Sequence, residues 1–537
     1  MRVWLLTTGV GCALAFTACG DSGRGDSTDA DAAAPAPDDA GVDPDARAAT
    51  DGGGDAVAKD AGPGEPPTIT LGAKDRFLLL GTIITPDVVI EGAVLIEQSI
   101  ITCVDTASVC AGKPNAPGAT IIDTKGIIAP GLVDTHNHIL FDIFDNDDWV
   151  PAQKYQNHDQ WPGEPRYQAM LDVKQCLAND SQGKPAWCAQ TAYGTAAGNL
   201  RCEMDKWGEL KGIVSGTTSI VGLPGTSAPC FGSLARSIDV SQNGLTTDKV
   251  QTSATFPPSN PDGVCTNFTS GATDAFIVHA GEGVDQKSRD EFAKLGTVTT
   301  SANCLYAKQT SVTHGVAFGP NEWQVMAAAG MRLTWSPHSN VSLYGATANV
   351  PQAIAAGVEI ALAPDWSMGG SQNMLEELRF ARDWDKAQWG SSLTSKELIR
   401  MSTVTPAKLL GVSALVGSLA TGMLADLAVF AGDRKAPYDA IIGARPTDVR
   451  LVMVSGSPLY GDAALIGAGP STPGCEPLTL CNASKFVCVA QPNATAKLDQ
   501  TLTSIKSALE TGLKDSDAQT LADGFNFAPL SPLYNCK

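Results

Sequence analysis

From about residue 74 the chain runs in short apolar stretches broken by Gly, Asp and Pro: RFLLLGTIIT, DVVIEGAVLIEQ, SIITCVD and ATIIDTKG. Ile-, Val- and Leu-rich runs of this length, punctuated in this way, predict the strands of a small sheet. The same texture returns over 415–470, in GSLATGMLADLAVFAG and DVRLVMVSGSPLY. Between these regions the pattern changes period. AFIVHAG (275–281) precedes the helical spacing of SRDEFAKL, and TSVTHGV (310–316) precedes PNEWQVMAAAG. RLTWSPHS (332–339) precedes ANVPQAIAAG, and EIALAPDWS (359–367) precedes NMLEELRFARDWD. Repeated strand–helix units predict a parallel sheet, and this many predict a closed (β/α)8 barrel of the α/β class.

Three segments fall outside that rhythm. Residues 141–200 form a long, aromatic, irregular insertion after the first barrel strand, placed to shape access to the catalytic face. Past residue 470, Leu498, Leu502, Ile505, Leu509 and Leu513 recur at three- and four-residue spacing, which predicts a helix packed on the barrel. At the start, Arg2 and the apolar run VWLLTTGVGCALAFTA are too short for a membrane span and read as a secretory signal over residues 1–18. Its ending, Phe16-Thr17-Ala18-Cys19, resembles a bacterial lipobox, so the expectation is an exported chain anchored to the cell envelope through lipidated Cys19. Residues 19–66 lack the apolar positions to build a core and read as a solvated, dispensable tether.

Charge and cysteines refine this picture. The net charge of −20 makes a nucleic-acid partner bound through a basic face untenable. Residues 20–66 hold eleven Asp and Glu65 against Arg24, Arg47 and Lys59, so much of the acidity belongs to the tether; residues 67–537 carry a net −12. Setting aside Cys12 and Cys19 leaves twelve of fourteen cysteines, an even number that predicts disulfides in an exported protein. Cys103/Cys110 and Cys176/Cys188 are near enough to be local pairs. Cys475, Cys481, Cys488 and Cys536 would staple a disulfide-rich extension over 471–537, with the pairing open.

The chemistry concentrates in few residues. Of six histidines, His136 and His138 lie in GLVDTHNHIL, where a two-residue spacing on a strand turns both imidazoles to one side. His279 ends AFIVH, His314 ends TSVTH, and Asp365 follows EIALAP. Each sits where a barrel strand runs out, the catalytic rim of this architecture. Neutral imidazoles with one carboxylate suit Zn²⁺ or a similar divalent ion that keeps positions open for water. His338, Asn340 and Trp366 are candidate substrate residues by position, and His158 in the insertion reads as a surface histidine.

The segments APGLVDTHNH, HAGE (279–282), THG (313–315), SPHSN (336–340) and APDW (363–366) resemble the amidohydrolase superfamily over residues 74–470. The resemblance implies a TIM barrel, 129–414, with a small β-sandwich built from the flanks, 67–128 and 415–470. It implies that His136, His138, His279 and Asp365 bind one divalent metal ion, Zn first with Fe or Mn as alternatives. His314 would contact the activated water or the oxyanion, and Glu282 would shuttle protons as in the deaminase and chlorohydrolase-like branch. Two-metal branches carry a carboxylated Lys on the fourth strand. The corresponding run here, KVQTSATF, has only Lys249, at its wrong end.

The leading expectation is thus a metal-dependent hydrolase acting on a non-peptide C–N bond (amide, cyclic amide or amidine) of a small molecule. In that chemistry Asp365 takes a proton from the activated water and Glu282 passes one to the leaving nitrogen. His314 faces the oxyanion. Two alternatives stay open: a hydrolytic deaminase of a purine- or triazine-like ring, favoured by Glu282, and a non-catalytic surface binding lipoprotein.

Overall fold

The computed structural model describes residues 64–180, 183–222, 228–240, 245 and 249–536. The leader, Cys19 and nearly all of the tether lie outside the described residues. Eight short parallel strands follow one another as the sequence pattern predicts. Barrel strands 1 to 3 (Leu132–Asp134, Thr217–Ile220, Arg236–Ser237) form one arc. Strands 4 to 8 (Val250–Ser253, Ala275–Ala280, Thr310–His314, Arg332–Trp335, Glu359–Leu362) form the other. A parallel bridge between Asn137 and Asp365 joins strand 8 back to strand 1. The strands are buried almost throughout; Ala275–Ala280 and Glu359–Leu362 read as apolar runs, while Thr217–Ile220 and Thr310–His314 bury Thr and Ser instead. Helices Gln286–Thr297, Pro320–Ala329, Val350–Ala356 and Met374–Trp384 fall on the four segments expected to be helical.

The flanks build one mixed sheet of ten strands. Its long members, Ala73–Ile84 and Ala119–Pro130, run parallel, with register shifts along the pair. The remaining neighbours are antiparallel. Phe77, Leu79, Val94 and Ile96 from one end of the sheet share an apolar core with Leu451, Met453 and Phe486 from the other. The sheet takes in Glu476–Leu480 and Ala483–Val487 from beyond residue 470. Arg236 of barrel strand 3 anchors it to the barrel through Asp426, with Nε donating to Oδ2 at 2.6 Å and Nη2 to Oδ1 at 3.1 Å, both residues buried.

Six disulfides pair all twelve cysteines from Cys103 onward. Cys103–Cys110 and Cys176–Cys188 are the local pairs expected. Cys475–Cys488 and Cys481–Cys536 staple the extension, and Cys202–Cys230 and Cys265–Cys304 were not separable by spacing. The helix Leu502–Thr520 buries Ile505, Leu509 and Leu513 against the helices Pro165–Leu177 and Arg201–Ile213. Cys481–Cys536 brings the chain's end onto the catalytic face. There Ser531 N donates to Ile143 O, and the Asn535 backbone donates to Gln372 Oε1. The buried Lys211 ammonium donates to Phe144 O, Ser367 Oγ and Ser531 Oγ, tying the insertion, the loop after strand 8 and the extension together. Because this crosslink spans 55 residues, replacing both cysteines by Ser should lower unfolding free energy by about 2–4 kcal/mol. The check is a lower urea midpoint, with a slope that rises as the unfolded chain is freed to expand.

Candidate active site

Strand 1 ends at Asp134, so His136 and His138 sit just past it rather than on it. They stay in register because the barrel ladder continues: Asp365 N donates to His136 O at 3.1 Å, and His138 N donates to Asp365 O at 2.7 Å. Asp134 fixes the turn by accepting from His136 N and from Asn137 Nδ2. His279 lies near the end of strand 5 and His314 at the end of strand 6. His314 and Asp365 have φ of 76° and 72°, left-handed backbone that costs a non-glycine residue about 1–3 kcal/mol. Such strain persists where surrounding contacts over-determine it, here the Asp365–His136–His138 backbone pairing and the bond from His314 Nδ1 to Asn340 Oδ1 at 2.9 Å.

The five groups converge. The His136 and His279 ring centroids are 4.6 Å apart, His136 and His138 4.9 Å, and His279 and His314 5.1 Å. Asp365 Oδ1 lies 2.9 Å from His136 Nε2 and 3.5 Å from His138 Nε2. Ligand atoms of His136, His138 and His279 lie within 4.8 Å of one another, as do those of His136, His314 and Asp365. Burial and the neighbouring His136 push His138 down to about 3. Burial and the surrounding imidazoles hold His279 well below its ordinary range. Burial works to raise Asp365, but the His136 hydrogen bond and the nearby imidazoles outweigh it and keep the carboxyl well below the usual range. His279 Nδ1 donates to Ser253 O, which leaves Nε2 as a lone pair. Neutral nitrogens beside an ionised carboxylate are the donor set a divalent cation requires. The buried Nδ1 of His136 has no partner among the described residues. These residues fit a metal centre.

A cavity of about 290 Å³ opens over this cluster. His138, His279, His314, Asp365 and Glu282 line one end, and Phe141, Trp161, Tyr167 and Trp366 form an aromatic wall. Glu282 is buried: its Oε1 accepts from the Tyr344 hydroxyl at 2.7 Å and its Oε2 lies 3.8 Å from His314 Nε2. The insertion is stitched to its loop, with Val284 N donating to Gln156 O and His158 N to Glu282 O. Gly283 permits that approach: at φ 150°, a Cβ would stand 2.4 Å from Gln156 O and 2.3 Å from Ser288 Oγ.

The structure separates the remaining residues that the sequence singled out. Asn340 does not face the cavity; it is buried behind His314 and holds that ring's tautomer. His338 lines a neighbouring cavity, its ring stacked on Phe380 at 4.4 Å and its Nδ1 2.9 Å from Ser371 Oγ. Trp366 does line the site. His158, read as a surface residue, also lines it, with Nε2 2.7 Å from Glu291 Oε1; that hydrogen bond raises its pKa against the effect of burial. Tyr344 and Tyr167 were not singled out; the aromatic density of the insertion was the only available signal for Tyr167. Lys249 precedes strand 4, its carbonyl accepting from Asp274 N, away from the imidazoles.

Residues 267–459 match the model of the amidohydrolase family, a span holding His279, Glu282, His314 and Asp365. The chain is 24% identical over 415 residues to the 5'-deoxyadenosine deaminase of Methanosarcina mazei, covering 69% of this chain and 88% of that protein. It is 26% identical over 382 residues to the 5-methylthioadenosine/S-adenosylhomocysteine deaminase of Haloarcula marismortui, covering 67% and 84%. Atrazine chlorohydrolase from Arthrobacter aurescens TC1, solved with zinc, shares the fold, with a TM-score of 0.54 at 16% identity over 73% of this chain and 96% of that one.

Proposed function

We propose that this chain, a metal-dependent hydrolase of the amidohydrolase superfamily acting on carbon–nitrogen bonds other than peptide bonds, deaminates a flat nitrogen heteroaromatic ring of purine or triazine type. The observation that carries this reading is Glu282, buried, backed by Tyr344 and 3.8 Å from His314 at the head of an aromatic-walled cavity. The adenine-nucleoside deaminases among its relatives support the same substrate class.

His136, His138, His279 and Asp365 would hold one divalent ion, Zn first with Fe or Mn as alternatives. When bound, that ion supplies Lewis-acid activation of water, whose pKa falls toward ~7. The chain's own residues do the rest. The ionised Asp365 carboxylate accepts a proton from the attacking water. His314, with its Nδ1–H committed to Asn340 Oδ1, presents Nε2 as a lone pair that can accept a hydrogen bond from the attacking water and orient it. Glu282 carries a proton to the ring nitrogen, recovers the hydroxyl proton of the adduct and passes it to the amino group, which departs as ammonia, and the proton held by Asp365 then restores Glu282.

Ammonia release from adenosine, 5'-deoxyadenosine and amino-s-triazines, set beside ring opening of cyclic imides and cleavage of simple amides, tests the reading. Ammonia from the flat rings supports it. Ring-opened acids without ammonia would move the assignment to amide hydrolysis, and a metal-replete protein inert on the whole panel would favour a binding protein. Elemental analysis should find about one divalent ion per chain, since among the described residues Lys249 precedes strand 4 and the cavity's Lys174 is paired with Asp180; two ions would overturn the one-metal reading.

Six disulfides point to an oxidising compartment outside the cytoplasm. Attachment to the envelope through lipidated Cys19 is part of the proposal, and Cys19→Ser should move the protein from the membrane to the soluble fraction.

A further inference from the structure

The aromatic wall contains one polar group that the mechanism above leaves idle. Tyr167 sits on the helix Pro165–Leu177, buried, with its ring centroid 4.9 Å from Trp161, 5.1 Å from Trp149 and 6.2 Å from Trp366. The polar atoms of three residues around it are committed. Trp149 Nε1 donates to Glu164 Oε2 at 2.8 Å, Trp161 Nε1 to the Tyr344 hydroxyl at 3.0 Å, and Tyr344 in turn to Glu282. The Tyr167 hydroxyl makes no hydrogen bond to a described residue, and the residue lines the cavity over the imidazoles. Tyr167 shares that cavity with Glu282 and Asp365, whose charges add to burial in raising its pKa. Phenylalanine would give the same ring packing, so the hydroxyl is surplus to the wall and available to a molecule in the cavity.

Resting on the reading of the site as a heteroaromatic deaminase, we infer that Tyr167 touches the substrate, its hydroxyl donating a hydrogen bond to an acceptor nitrogen of the ring. A phenol is a donor at neutral pH, and a ring lying against Trp161 and Trp366 presents its nitrogens at its edge. The bond would fix which way round the ring enters, and so which carbon faces the imidazoles.

The test uses the full-length, zinc-loaded protein and Tyr167→Phe, with purine riboside as the probe because it has no amino group to lose. Its 1-deaza, 3-deaza and 7-deaza analogues each remove one acceptor. Calorimetry should show purine riboside binding about tenfold more weakly to the Phe variant, the worth of one neutral hydrogen bond. One deaza analogue should bind the two proteins alike, and the thermal midpoints should match. Equal affinity of both proteins for purine riboside would mean that the hydroxyl meets only water. An equal loss for the parent and all three analogues would mean that the substitution acts through packing. Either result overturns the role of Tyr167 while leaving the deaminase reading intact. A parent protein that binds none of the four probes would overturn that reading and the inference with it.

Discussion

Asp365→Asn should leave the chain folded, release its divalent ion and lower turnover on the order of 10⁴-fold or more, since a general base and a ligand are lost together. The carboxylate lies 2.9 Å from His136 Nε2 and 3.5 Å from His138 Nε2, and their influence keeps it ionised despite its burial. An amide of the same shape keeps the volume and loses the charge that both cation binding and proton acceptance require. Asn is the informative substitution because Asp365 has φ 72°, and Asn tolerates left-handed backbone better than Ala. The backbone bonds to His136 and His138 should therefore survive, and the thermal midpoint of the ion-free protein should move little. Elemental analysis, a melting curve and turnover on one substrate decide it together. Full metal content with near-parental turnover would remove Asp365 from both roles.

What the chain reveals before it folds depends on how local each signal is. His279, His314 and Asp365 were legible because a parallel barrel strand is buried almost throughout, so an imidazole or carboxylate at its end stands out. Glu282 was legible only through family resemblance: its distinction is the Tyr344 hydroxyl and the His314 nitrogen beside it, contributed by other parts of the chain. The segment SPHSN misled for a geometric reason. It opens the helix Pro337–Tyr344, where residues two apart diverge instead of sharing a side. His338 therefore turns to Phe380 while Asn340 turns to His314. His158 and Tyr167 were illegible as site residues because their insertion has no repeating pattern, and its docking depends on contacts such as Val284 N to Gln156 O. The Cys202–Cys230 and Cys265–Cys304 pairs were hidden likewise, since proximity at separations of 28 and 39 residues is a property of the fold. The strands Glu476–Leu480 and Ala483–Val487 sit in a cysteine-rich stretch with little alternation to announce them.

Glu282→Gln should separate metal binding from catalysis. The parent carboxylate has one oxygen held by the Tyr344 hydroxyl and the other 3.8 Å from His314 Nε2, which aims it at the reacting end of the cavity and away from the metal-ligand set. Glutamine keeps an acceptor for Tyr344, so the loop held by His158 N and Ser288 Oγ at the Glu282 carbonyl should not shift. What it loses is the capacity to carry a proton. Turnover should fall by roughly 10²–10⁴, the usual worth of positioned acid–base transfer, while metal content and the affinity for purine riboside stay near parental values. The competing account makes Glu282 a buried partner that steadies His314. Neutralising it would then lower the thermal midpoint and leave turnover of the folded fraction nearly intact. Near-parental turnover with a full complement of metal would remove Glu282 from the mechanism, and with it the main support for deamination over amide hydrolysis.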